Sequence, residues 1–245
     1  MRISFVVPAY NEEAGLGGTL AAIQAQVARS RCEAQVIVVN NASTDGTAAL
    51  AASFAGVQVV DEPQKGLYHA RRAGLAAADG DLIANVDADT RITDGWIERV
   101  IAEFSANPKL VALSGPYIYY DVSPSLRFSV GLFYRWGYIF YALNRWVFKV
   151  GSMMQGGNFV VRSTALRQIG GYNANFAFYG EDTDLARRLS AVGDVKFTFK
   201  LPAESSGRRL QAEGPLKIGL RYAMNFMWAT FFHKPFTQSW IDIRD

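Results

Sequence analysis

The sequence predicts an α/β fold, a Rossmann-like and mainly parallel central sheet with helices on both faces. Three observations predict it. Apolar strand-like runs alternate with segments of helical period from Ile3 to Asp89. Polar loops follow the first, second and fourth runs and would gather at one sheet edge. The fourth run, Leu82 to Val86, leads into Asp87-Ala88-Asp89, two carboxylates separated by one alanine. In an extended chain both would point to the same side. They would repel unless a cation lay between them, so the pair reads either as a surface turn or as a site for a hard divalent ion, Mg²⁺ or Mn²⁺.

Taken in order, Ile3 to Val7 is the first strand, which Pro8 is expected to stop. Asn11 is a candidate N-cap for a helix with Leu16, Leu20, Ile23 and Val27 at helical spacing. Gln35 to Val39 is the second strand, followed by the polar loop Asn40 to Thr47 and an Ala-rich helix. Val57 to Val60 is the third strand. A helix from Lys65 to about Ala78 ends at Gly80, before the Leu82 strand. Trp96, Ile97, Val100, Ile101 and Phe104 then share a helical face, and Leu110 to Leu113 and Tyr117 to Tyr120 read as strands. Gly156 to Arg162 is a turn into a strand, Ser163 caps a short helix ending at Gly170-Gly171, and Val195 to Leu201 is the final strand. There is no internal repeat. The organisation predicted is a core over 1–207, with halves 1–115 and 116–207, and a C-terminal helical appendage over 208–245.

Composition narrows the function. At 245 residues and 50% hydrophobic the chain can bury a sizeable core, and its net charge of +3 does not argue for a nucleic-acid partner. Cys32 is the only cysteine, which excludes an intrachain disulfide and a Cys-based zinc site. The chain enters its first strand without a leader-like segment, and a cytoplasmic setting is expected.

With these elements in place, the residues resemble the family-2 glycosyltransferases of GT-A fold. The matching segments are Val7-Pro8-Ala9-Tyr10-Asn11-Glu12, Val39 to Thr47, Ala70-Arg71-Arg72-Ala73-Gly74, Asp87-Ala88-Asp89, Gly156-Gly157-Asn158, Gly170-Gly171-Tyr172 and Gly180 to Leu185, in the family's order. Each is weak alone; the ordered set is specific. The resemblance implies inverting transfer of a sugar from a nucleoside-diphosphate donor, a UDP-sugar, to an acceptor hydroxyl. Pro8, Ala9, Tyr10 and Glu12 would line the base and ribose pocket. Asn40 stands where the family usually has an Asp facing uracil, and its amide oxygen can still accept from a uracil N–H. Arg71 would lie near base and diphosphate, Asp87 would face ribose or sugar, and Asp89 would hold Mn²⁺ or Mg²⁺. Asp182 would be the general base with Glu181 beside it, since a sugar hydroxyl must lose its proton as it attacks. Its bland alternative is a helix N-terminal stabiliser. Gly156, Gly157 and Asn158 would shape the acceptor and donor-sugar pocket.

Arg208 and Arg209, after a Ser/Gly turn, read either as a clamp on the donor diphosphate or as a solvated basic loop. Two aromatic and basic stretches, Phe128 to Val150 and Leu220 to Phe236, suit a peripheral membrane contact on the inner face, an acceptor pocket or a homodimer interface. A saccharide or lipid-linked acceptor is expected. Two rival readings are a polyprenyl-phosphate glycosyltransferase, which needs no base because its acceptor is already ionised, and a non-catalytic nucleotide-sugar-binding protein.

Overall fold

The computed structural model describes residues 1–147 and 153–237. In chain order it contains β1 (Ile3–Ala9), α1 (Glu13–Ser30), β2 (Ala34–Asn40), α2 (Thr47–Ala52), β3 (Val57–Asp61), α3 (Leu67–Ala77), β4 (Leu82–Val86), β5 (Thr90–Ile92) and α4 (Trp96–Ala106). There follow β6 (Leu110–Ser114), β7 (Tyr117–Tyr119), α5 (Pro124–Trp146), β8 (Asn158–Arg162), α6 (Ser163–Gln168), α7 (Glu181–Ser190), β9 (Asp194–Phe197), β10 (Ala203–Ser205), α8 (Arg208–Glu213) and α9 (Pro215–Phe231). Phe148, Lys149 and Val150, the end of the first aromatic stretch, lie outside the described residues.

Seven strands form the main sheet in the order β3-β2-β1-β4-β8-β6-β9. Its pairings are parallel except where β8 runs antiparallel between β4 and β6. All five residues of β4 are buried, as expected for a strand covered on both faces, and this is why it reads as an apolar run broken only by Asn85, whose Oδ1 accepts from the Tyr172 hydroxyl. One core lies beneath the α1 and α4 face, with Phe5, Leu20 and Trp96, and a second beneath α3, α6 and α7, with Ile37, Phe159 and Leu189. Helix α3 lies tight on β1: a Cβ on Gly74 would fall 2.3 Å from Val6 Cγ1. That close approach sets the depth at which Arg71, one turn earlier, enters the sheet edge.

Several local expectations are corrected. Pro8 does not end β1, because pairing with β4 stops at Val6–Asn85 and no ladder bond is required of the proline on that side. Asn11 does not cap α1: it is left-handed at φ 48°, and its Oδ1 accepts from the Thr44 amide at 2.9 Å. Asp45 serves from across the loop instead, accepting from the Glu13 amide at 3.2 Å. Ser163 begins α6 without a side-chain cap. The expected last strand ends at Phe197, and the chain then turns into β10, which joins β5 and β7 in a separate three-stranded sheet. Helix α9 packs on α7, and Arg221 of α9 donates to Tyr179 Oη at 2.9 Å, so the C-terminal segment is built onto the body.

Candidate active site

The parallel order of β1, β2, β3 and β4 brings their carboxyl-terminal loops to one edge. The first two loops are tied together. The Glu12 amide donates to Thr47 Oγ1 at 2.8 Å, and the Asp45 carboxylate accepts from the Glu13 and Thr47 amides. Burial would raise the Asp45 pKa, but the hydrogen bonds from Thr47 outweigh it and hold the group below its ordinary value. Asn41 anchors the next loop through the Glu62 and Gln64 carbonyls and the Gly66 amide.

Pro8 and Ala9 form the end of β1, and Lys65 Nζ stands 3.8 Å above the Tyr10 ring. Asn40 ends β2 and donates through Nδ2 to Asp61 at 2.7 Å. Its Oδ1 is buried and accepts no hydrogen bond in the structure. Asp61, at the end of β3, fixes the orientation of the Asn40 amide. Sequence reading passed over it because a single Asp closing a short strand carries no distinctive signal.

Asp87-Ala88-Asp89 is a turn and not the extended segment that alternation implied: the Thr90 amide donates to the Asp87 carbonyl at 2.9 Å. The two carboxylates still serve one region. Tyr117 donates its hydroxyl to Asp87 Oδ2 at 3.1 Å. Burial first, then the charges of Asp87 and Asp89, push the Tyr117 pKa well up, which keeps it a proton donor. Asp89 Oδ2 lies 3.0 Å from Arg208 Nη2, and the same nitrogen bonds Glu12. Glu12, 3% exposed, thus faces Arg208. Arg209 turns away from this edge, pairs with Glu213 at 3.1 Å and stacks over Phe178.

Arg71 stands among the site's carboxylates. It is 1% exposed and lies beneath the edge, bonding Glu181 and the Gly156 carbonyl, with Asp87 Oδ1 at 3.9 Å. One guanidinium therefore gathers carboxylates from both halves. Burial raises the Glu181 pKa to about 7; Arg71 opposes that rise, and Asp182 and Asp87 add to it. Burial also raises Asp182, against the hydrogen bond from the Thr183 amide and the attraction of Arg71.

Gly156 and Gly157 run between these groups. A Cβ on Gly156 would stand 3.8 Å from Asp182 Oδ2, and one on Gly157 would fall 2.1 Å from the Asp87 carboxyl. Asn158 is fully buried beside them. It accepts from Trp96 Nε1 at 3.0 Å and donates to the Gly115 and Leu201 carbonyls. It holds the floor in place.

The mostly parallel sheet brings its polar and acidic loops to one carboxyl edge, where open α/β sheets bind their ligands. Residues 4–170 match glycosyl transferase family 2, and the chain belongs to that family. Residues 140–205 also match the N-terminal domain of galactosyltransferase. An uncharacterized glycosyltransferase of Mycobacterium tuberculosis is 38% identical over 109 residues, 44% of this chain and 46% of that protein. The chain thus spans about half the length of that relative. The fold is similar to the mannosyltransferase PcManGT of Pyrobaculum calidifontis, solved with GDP-Man and Mn²⁺, at TM-score 0.69 and 19% identity over 95% of this chain and 64% of that one. It is also similar to S. aureus TarS 1–349 with UDP-GlcNAc, at TM-score 0.61 and 15% identity over 84% of this chain and 58% of that one. The architecture is therefore GT-A.

Proposed function

We propose that this chain transfers a sugar, with inversion, from a uridine diphosphate sugar to an acceptor hydroxyl, with Asp182 as general base. The observation that carries the reading is the Gly156-Gly157 strip, which leaves Asp182 and Asp87 one dipeptide apart. In the reaction the acceptor oxygen bonds to the anomeric carbon, the bond from that carbon to the diphosphate breaks, and the hydroxyl proton passes to Asp182. A carboxylate whose pKa burial has raised is the stronger base for that proton. Asn40 Oδ1 would accept from the uracil N–H, and Asp87, steadied by Tyr117, would orient the donor sugar.

The acidic mouth fits a divalent cation. Among the described residues no cluster of three metal-type side chains occurs, so the protein would offer Asp89 and leave the remaining positions to diphosphate oxygens and water, the usual arrangement for Mg²⁺ or Mn²⁺. The ion pairs of Arg208 with Glu12 and Asp89 support a demand for positive charge there. When bound, the metal would hold the diphosphate and offset its leaving charge. Arg208 would then be placed to take a phosphate oxygen.

The test is a panel of nucleotide sugars with Mn²⁺ or Mg²⁺, read by thermal stabilisation and by donor hydrolysis. A UDP-sugar should stabilise the protein, Asp89→Ala should abolish that shift, and Asp182→Asn should keep it while lowering turnover by roughly 100-fold or more. No response to any nucleotide sugar would overturn the reading. Intact turnover in Asp182→Asn with loss in Asp89→Ala would replace the hydroxyl acceptor by a phosphate.

A further inference from the structure

Helix α5 has two faces of different use. One carries Tyr134 and Tyr141, both buried, with the Tyr134 ring stacked 6.3 Å from Phe197. The other carries Phe128, Leu132, Trp136, Ile139, Phe140 and Leu143, at the three- and four-residue spacing of a helix surface. Phe128 is 66% exposed, Trp136 65% and Phe140 56%. Rings of this size, gathered on one helix face, are not an ordinary solvent surface. Helix α9 repeats the pattern with Leu216, Leu220, Met227 and Phe231 exposed while Ile218 and Ala229 are buried. The charge pattern follows the same two stretches. No Asp or Glu occurs between Asp121 and Glu181, nor between Glu213 and Asp242. Arg127, Arg135, Lys217 and Lys234 are exposed in those stretches.

We propose that α5, assisted by α9, seats the protein on an anionic lipid surface, with the α5 aromatic face in the headgroup boundary and the arginines against lipid phosphate. An apolar helix face edged by cations without carboxylates matches such a surface in both terms. A second copy of the chain matches it less well, since pairing α5 with itself brings arginine to arginine with no acid to answer. The contact is interfacial: among the described residues no helix is long and apolar enough to cross a membrane. It also adjoins the site. Tyr134, on the opposite face of α5, donates to Gln155 at 2.7 Å and accepts from the amide of Tyr117, whose hydroxyl holds Asp87. The lipid contact itself does not rest on the transferase reading; its consequence, an acceptor met at the lipid surface, does.

The test is co-sedimentation of the whole chain with phosphatidylcholine vesicles, with and without about 30% phosphatidylglycerol, at low salt and at about 0.5 M salt. Binding should require the anionic lipid and weaken with salt. Trp136→Glu/Phe140→Glu should lower partitioning about tenfold or more, and Arg135→Glu should lower it on anionic vesicles. Both variants should keep the wild-type melting temperature and donor-induced thermal shift, because these side chains are exposed and outside the site. No binding to anionic vesicles, or equal binding after Trp136→Glu/Phe140→Glu, overturns the proposal. So does a concentration-dependent dimer that this variant abolishes, which would assign the face to a second copy. A protein that binds vesicles yet ignores every nucleotide sugar would sink the catalytic reading alone.

Discussion

Arg71→Met is the most informative single change. The guanidinium it removes is buried and bonds Glu181 and the Gly156 carbonyl, with Asp87 3.9 Å away. Breaking a buried pair from one side costs about 3–5 kcal/mol when the partner stays charged. Here the partner can escape by taking a proton. Glu181 is raised from 4.5 to about 7 in the fold, so its stabilising contribution is complete below its unfolded pKa and is lost as pH rises through about 7. At pH 5 Glu181 is neutral in wild type and variant alike. The loss should then be mainly the hydrogen bonds, about 1–2 kcal/mol. At pH 8, one unit above that pKa, keeping Glu181 protonated in the variant adds at most about 1.4 kcal/mol, for a total of about 3 kcal/mol. With about 2–4 °C per kcal/mol for a chain of this size, a loss of about 3 kcal/mol lowers the melting temperature by about 6–12 °C. The assay is urea unfolding and thermal melting by circular dichroism at both pH values, with Arg71→Met/Glu181→Gln as control. Equal destabilisation at pH 5 and pH 8, or no recovery in the double variant at pH 8, would refute the reasoning.

Three further outcomes follow from the same geometry. Gly157→Ala would drive a Cβ to 2.1 Å from the Asp87 carboxyl and 2.3 Å from Tyr117 Oη, so turnover should fall more than tenfold while the far-UV spectrum is unchanged; wild-type turnover would show that Asp87 has room to retreat. Trp96→Phe leaves Asn158 Oδ1 buried without its donor and should cost about 1–3 kcal/mol in urea unfolding, whereas a loss below about 0.5 kcal/mol would mean the contact is expendable. Asn40→Asp places a carboxylate on Asp61, now 2.7 Å from the Asn40 amide, and should destabilise the protein at pH 8 but not at pH 4; a pH-independent effect would discount the repulsion.

What was legible in the sequence follows from how each signal arises. Strands buried on both faces are mostly apolar, so β1, β2 and β4 announce themselves. The three-residue strands β5 and β10 are too short to show a period, and their sheet passed unread. Pro8 was misjudged because the penalty for a missing N–H depends on whether a neighbouring strand extends that far, which only pairing reveals. Asn158 sits in a glycine-rich context that reads as a loop, yet its amide is used up by Trp96, Gly115 and Leu201. Asp87 and Asp89 do reach one region, but through a turn and not by strand alternation. The charged residues were visible as types; their partners were not, since Arg71 meets Glu181 across 110 positions and Arg208 meets Glu12 across 196.

Residues joined through one buried guanidinium cannot be assigned separate roles. Asp87, Glu181 and Asp182 all act on the charge of one buried guanidinium, and it acts back on each of them. If all three carboxylates were ionised, two negative charges would remain uncompensated in a poorly hydrated cluster, which is why Glu181 is pushed toward neutrality. A proton on Glu181 frees more of the field of Arg71 for Asp182 and Asp87. Titration of Glu181 would therefore change the basicity of Asp182 without touching either substrate. Glu181→Gln fixes the neutral state, and on this reasoning it should flatten the pH dependence of turnover around pH 7 while leaving donor-induced stabilisation intact. An unchanged pH profile would mean that Asp182 does not sense Glu181, and that the two acids of α7 work independently.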